Sequence, residues 1–169
     1  MTEVAKKGSP ERLPPVEPEW QQQYDRLWKK MRFRKIWDRV YLSGCPEPEE
    51  FEVLRQRFGI DTFINLNEPY ERLDEYARRH GLNMRYMFVQ DLDDASPATK
   101  REFLAYTRQM LDKSHTILAF CKAGFGRATR MGVLFLEDRG IHRGRAYDMA
   151  LNGCIPKAEE QKTIRKVKT

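Results

Sequence analysis

The chain has 169 residues, of which 40% are hydrophobic and 33% charged, with a net charge of +6. That suffices for one domain of ordinary size with a packed core and short arms, and no apolar run approaches the roughly 20 residues a membrane span needs. Three cysteines, at 45, 121 and 154, form no even framework, which argues against a disulfide scaffold or structural zinc and for a reducing, cytoplasmic setting; Met1–Gly8 also lacks the apolar stretch of a secretory signal.

Residues 1–18 contain four of the nine prolines, the composition of a flexible arm ahead of a single domain over 19–169. Trp20, Tyr24, Leu27, Trp28 and Met31 recur at helical spacing, so a basic amphipathic helix is expected over 19–36. Its other face carries Arg26, Lys29 and Lys30, with Arg32, Arg34 and Lys35 just beyond. Such a stripe either docks on the host domain or lies on a membrane surface. From Arg39 the pattern alternates strand and helix. Arg39–Ser43 reads as a strand closed by Gly44, and Phe51, Leu54 and Phe58 mark a helix ended by Gly59. Asp61–Leu66 is a buried strand, Tyr70–His80 a polar helix, and Asn83–Val89 a strand leading into an acidic loop at 90–96. Ser96-Pro97 opens a helix with Phe103, Leu104, Thr107, Met110 and Leu111 on one face. His115–Phe120 is a short apolar strand, followed by a helix carrying Met131, Leu134 and Phe135. Helices near 142–151 and 157–167 complete the chain. The order predicts an α/β fold, a central and largely parallel sheet flanked by helices.

The strand–loop–helix at 115–136 carries the chemistry. Gly124 and Gly126 in a six-residue loop let successive backbone N–H groups point inward. The next helix adds its free N–H groups and the positive end of its dipole. The result is an anion cradle of phosphate size, without the Gly-Lys-Ser/Thr ending of a nucleotide P-loop. It begins with Cys121 and ends with Arg127. The field that binds an anion also favours the thiolate, and the guanidinium fork can grip two phosphate oxygens.

Cysteine, five residues, then arginine, between an apolar strand and a helix, resembles the signature of the protein tyrosine phosphatase superfamily. Cys121-Lys122-Ala123-Gly124-Phe125-Gly126-Arg127 is most similar to its compact dual-specificity and lipid or inositol phosphatase branches. The resemblance runs over 39–151 and includes Arg39–Gly44, Phe63–Leu66 and Phe88-Val89-Gln90-Asp91, where the family's acid loop begins. It implies a dual-specificity-phosphatase-like fold and a phosphomonoester hydrolase working through a phosphocysteine. Cys121 would be the nucleophile. Arg127, with the loop residues Lys122, Ala123, Gly124, Phe125 and Gly126, would bind the phosphoryl oxygens. The acid comes from the loop holding Asp91, Asp93 and Asp94; Asp91 takes the family's usual position directly after the strand, and the other two stay open as ordinary loop or helix-start residues. No cofactor or metal is required, and no His/Cys cluster offers a metal site.

Two departures stand out. Phe120 replaces the usual histidine before the cysteine, and Ala128 replaces the serine or threonine after the arginine, with Thr129 one further on. Both remove polar support, so slow hydrolysis of the phosphocysteine is expected, and Thr129 would substitute only if the helix start were rotated. They also keep a second reading open, a weakened module that binds phosphorylated partners. A sulfurtransferase or arsenate reductase fits less well, because it leaves the acidic loop without a task. Cys45 and Cys154 read as spare thiols, with a redox bridge to Cys121 as the alternative, and His80, His115 and His142 as scattered surface residues. The charge divides as +4 over 1–39, −1 over 40–154 and +3 over 155–169. The substrates in view are phosphorylated protein, inositol phosphates or phosphoinositides, and RNA 5′ phosphates; Lys122 and the basic ends tilt the choice towards the last two over phosphotyrosine, and favour anionic lipid or RNA as partners.

Overall fold

The computed structural model describes residues 18–68, 71–90 and 94–154. In chain order these form α1 (Pro18–Met31), β1 (Arg34–Trp37), β2 (Val40–Ser43), α2 (Glu50–Phe58), β3 (Thr62–Asn65), α3 (Glu71–Arg79), β4 (Met84–Tyr86), α4 (Pro97–Asp112), β5 (Ile117–Phe120), α5 (Arg127–Asp138) and α6 (Arg143–Asn152). Every residue of β2, β3 and β5 is buried, as befits strands covered on both faces. The sheet has the order β1-β2-β5-β3-β4, parallel throughout except for the β1–β2 hairpin.

Alternate strand residues feed two cores. Val40, Leu42, Ile64, Ile117 and Ala119 pack with Phe103, Met110, Met131, Phe135 and Met149 of α4–α6. Tyr41, Phe63, Leu118 and Phe120 pack with Leu27, Met31, Phe51, Leu54, Phe58 and Leu73 of α1–α3. The stripe of α1 thus docks on the domain, and Lys30 pairs with the buried Glu50 of α2 at 2.6 Å. Among the described residues no helix is long and apolar enough to cross a membrane. The expected start at Ser96-Pro97 appears as an N-cap, with the Ser96 hydroxyl accepting from the Thr99 N–H at 3.1 Å. Gly59 ends α2 at φ +69.

Three expectations need correction. The helix over 19–36 ends at Met31, because Arg32 takes φ +56 and Phe33, Arg34 and Ile36 are all fully buried. A strand satisfies those three by sending alternate residues into the two layers, and Arg34–Trp37 is that strand. Arg39 is not in β2 but in its hairpin turn, at φ +62, and its guanidinium donates to the carbonyls of Leu111 and His115 at 3.1 and 3.2 Å. The strand at 83–89 is regular only over Met84–Tyr86; Met87 and Val89 still donate their N–H groups to the carbonyls of Asn65 and Leu66. The expected helix at 157–167 and residues 1–17 of the expected arm lie outside the described residues.

Ser43 and Asn65 both stand in register with Phe120. Three parallel strands therefore end level, and the loops after them gather at one edge of the sheet, where ligands bind in folds of this kind.

Candidate active site

β5 delivers Cys121 to that edge. Its N–H donates to the Ser43 carbonyl at 3.2 Å, and its Sγ accepts the N–H groups of Gly124 at 3.3 Å and Ala128 at 3.4 Å. The thiol is 2% exposed and lies inside the arc of the loop. Ala128 belongs to the first turn of α5, so the helix spends one of its free N–H groups on sulfur.

The loop is held from the β2 side. Gly44 donates its N–H to Met31, and Cys45 to Lys122 at 3.2 Å. Gly124 has φ +91, and a Cβ there would stand 2.6 Å from the Gly44 nitrogen. Glycine at 124 is thus required both by backbone conformation and by space. Gly126 differs: at φ −86 it is the N-cap of α5 with nothing within 4 Å of an added Cβ. Only one of the two loop glycines is conformationally demanded.

Arg127 is 6% exposed and donates from Nη1 to the Val89 carbonyl at 2.9 Å. The segment leading to the acidic loop therefore helps fix the guanidinium. In front of it lies a cavity of about 720 Å³ lined by Cys45, Asn67, Glu68, Phe88, Gln90, Lys122 and Arg127. Phe125 does not line that cavity; it is 45% exposed and stacks on the guanidinium of Arg32, which also lies over Trp28.

Asp91 and Asp93 lie outside the described residues. Asp94 is described, and it faces other work. One oxygen accepts the Ala95 N–H at 2.9 Å, and the other pairs with Lys100 at 2.7 Å. The Lys100 hydrogen bond holds its carboxyl below the usual carboxylate range, the wrong direction for an acid that must carry a proton. It lines a separate cavity of about 240 Å³ with Lys100, Arg130 and Glu137.

The two departures have local explanations. Phe120 is fully buried, edge-on to Phe51 at 6.4 Å, so that position serves the core rather than the loop. Thr129 is 2% exposed, and its hydroxyl accepts from Arg34 at 2.9 Å. The histidines are local: His115 pairs with Asp61, His80 stacks on Tyr76, and His142 caps α6. None of Cys45, Cys121 and Cys154 is in a disulfide. Sequence reasoning missed Asn67, Glu68 and Cys45 as walls of the cavity. They follow β3 and β2 directly, so the level strand ends were the signal.

Comparison with known proteins agrees with this arrangement. Residues 39–140 match the family described as polymorphic toxin system, DSP-PTPase phosphatase. The crystal structure of Tk-PTP in the active form superposes with a TM-score of 0.62 at 25% identity, covering 80% of this chain and 95% of that one. PTPMT1 in complex with PI(5)P gives 0.62 at 14% identity, over 80% and 94%. The phosphoglucan phosphatase LSF1 of Arabidopsis thaliana, a chloroplastic protein, is 21% identical over 139 residues, which are 75% of this chain. The chain spans about a quarter of the length of that relative, 24%. The family match takes in the cradle, its arginine and the strand leading to the acidic loop, and the chain belongs to the DSP-PTPase phosphatases, enzymes that hydrolyse phosphoric monoesters.

Proposed function

We propose that the reaction runs through a phosphocysteine on Cys121, and that the substrate is a phosphorylated polyol such as an inositol phosphate or phosphoglucan. The observation that carries the mechanism is the pair of N–H donors aimed at one sulfur, in the loop that ends at the buried Arg127. The Cys121 thiolate attacks phosphorus, the S–P bond forms, and the P–O bond to the leaving group breaks as Asp91 gives that oxygen its proton. Water then attacks phosphorus, Asp91 takes its proton, and the P–S bond breaks to return the thiolate. Arg127 and the loop N–H groups hold the equatorial oxygens through both steps. Asp91 is favoured because Gln90, its neighbour, lines the cavity and Val89 anchors Arg127.

The substrate reading draws on the cavity walls. About 720 Å³ has room for a phosphorylated ring. Asn67, Glu68 and Gln90 supply hydrogen bonds for ring hydroxyls, Phe88 a surface for stacking, and Lys122 a charge for a second phosphate. LSF1 is named a phosphoglucan phosphatase, and PTPMT1 was solved with PI(5)P. The test is a panel of inositol phosphates, phosphoglucan, phosphopeptides and 5′-triphosphate RNA, with Cys121→Ser as control. Highest kcat/KM on the polyols, with no turnover but retained oxyanion binding in the variant, is the expected result. Highest activity on phosphopeptides or RNA would displace the substrate reading, and wild-type turnover by Cys121→Ser the mechanism.

A further inference from the structure

The phosphate loop is gripped by a segment that precedes the family match, which begins at residue 39. The Arg32 guanidinium lies 5.1 Å from the centroid of the Trp28 ring on α1 and 5.0 Å from that of Phe125, so one cation bridges two aromatic faces. Phe125 is the loop residue between Gly124 and Gly126. It is half-exposed and belongs to neither core, and the Arg32 guanidinium holds its ring.

The same segment reaches the loop a second way. The Met31 carbonyl accepts the Gly44 N–H at 2.6 Å. Gly44 is in turn the backbone that the loop packs against, its nitrogen 2.6 Å from where a Cβ at Gly124 would stand. The segment is itself firmly seated: Leu27 and Met31 are buried in the aromatic core, and Lys30 pairs with Glu50.

Two backbone features give the grip its purpose. Glycines flank Phe125 on both sides, so the peptide groups around it are the freest in the loop, and their N–H groups must face inward for the cradle to hold an anion. Arg32 takes φ +56, a left-handed conformation that strains a side-chain-bearing residue and that glycine would adopt without strain. The chain has arginine there, and the side chain it supplies is the one between the rings.

We infer that Trp28, Arg32 and Phe125 form a clamp that sets the phosphate loop in its anion-binding shape, with Arg32 a positioning residue that acts through Phe125. The inference rests on the reading of residues 121–127 as the phosphate cradle. It makes the end of α1 part of the phosphatase site.

The experiment measures tungstate binding by calorimetry, and melting temperature, on the full-length protein. Phe125→Leu removes the ring without changing charge. It should weaken tungstate about fivefold, the scale of one cation–π contact, with the melting temperature within about 3 °C of wild type. Phe125→Tyr keeps the ring and should recover most of that loss. Arg32→Gly suits the positive φ and keeps the backbone hydrogen bonds of residue 32 to the Trp28 carbonyl and from the Arg34 guanidinium. It should melt within about 3 °C of wild type and still bind tungstate about fivefold more weakly. The two changes together should weaken binding no more than either alone, because each breaks the same contact.

Weakening by Arg32→Gly but not by Phe125→Leu would mean that Arg32 acts as a distant charge, and overturns the inference. So do losses that multiply in the double variant, wild-type binding in both single variants, or a melting temperature that falls in step with affinity. If Arg32→Gly fails to fold, Phe125→Leu against Phe125→Tyr decides, and equal binding by those two overturns the inference. A wild type that binds no tungstate overturns the cradle reading and the clamp with it, whereas tungstate binding that these variants leave intact overturns the clamp alone.

Discussion

A thiolate leaving phosphorus carries negative charge away, and Ala128 offers that sulfur a backbone N–H but no hydroxyl. Thr129 does not make up the difference, because the groups that donate to the Cys121 sulfur are the Gly124 and Ala128 N–H groups and its hydroxyl is not one of them. Breakdown of the phosphoenzyme should therefore be slower than its formation, visible by rapid mixing as a burst of product from an aryl phosphate. Ala128→Ser should raise the steady rate and leave the burst rate nearly unchanged, by up to roughly 1.5–3 kcal/mol, the worth of a charge-assisted hydrogen bond. No burst in the wild type and no gain from serine would contradict this. The acid is tested by leaving groups. Asp91→Asn should cost ~10²–10⁴-fold on alkyl phosphates and much less on activated aryl phosphates, whereas Asp94→Asn should keep the wild-type pattern because its carboxylate is held ionised by Lys100. At this scale Cys121 and Arg127 were legible, since their spacing between a strand and a helix is itself the signal. Arg34 was not. Its partners Thr129 and Ala150 are 95 and 116 residues away, and an arginine among arginines and lysines reads as solvated surface.

Between elements, the close approach of the β2 turn to the loop is the tightest constraint. Gly124→Ala meets both a positive φ and the Gly44 backbone; the conformational strain alone is about 1–3 kcal/mol. Because the strain falls in the cradle, loss of phosphate binding should exceed loss of global stability, as calorimetry and thermal unfolding would show. Equal binding by variant and wild type would mean the loop relaxes without loss. Helix α1 is part of the fold: Leu27 is fully buried against the aromatic cluster. Leu27→Ala should cost about 2–5 kcal/mol in urea unfolding, and a cost under about 0.5 kcal/mol would mean that α1 is dispensable. The alternation of strands and helices from Arg39 onward was readable because several apolar runs end at a glycine, as at Gly44, Gly59, Gly81 and Gly140, and Ser96-Pro97 marks a helix start. β1 escaped because the more buried pair of its four residues, Arg34-Lys35-Ile36-Trp37, is Arg34 and Ile36, and the charge masks the period of two.

The whole molecule places a cavity holding Lys122 and Arg127 at the level ends of three parallel strands and most of its surplus charge in its terminal segments. Surface charges act through solvent and are screened over about 8 Å at physiological salt. With a multiply phosphorylated polyol, KM should rise with ionic strength while kcat stays nearly level, and a KM indifferent to salt would remove Lys122 and the basic ends from recognition. The central claim is a covalent phosphoenzyme on one named sulfur. Acid quench within the burst, followed by peptide mass spectrometry, tests it most directly. Phosphate should be found on Cys121 in the wild type, increased in Asp91→Asn on an activated aryl phosphate because the water step then lacks its base, and absent in Cys121→Ser; sustained turnover with no phosphate on Cys121, or phosphate on another residue, would contradict the account.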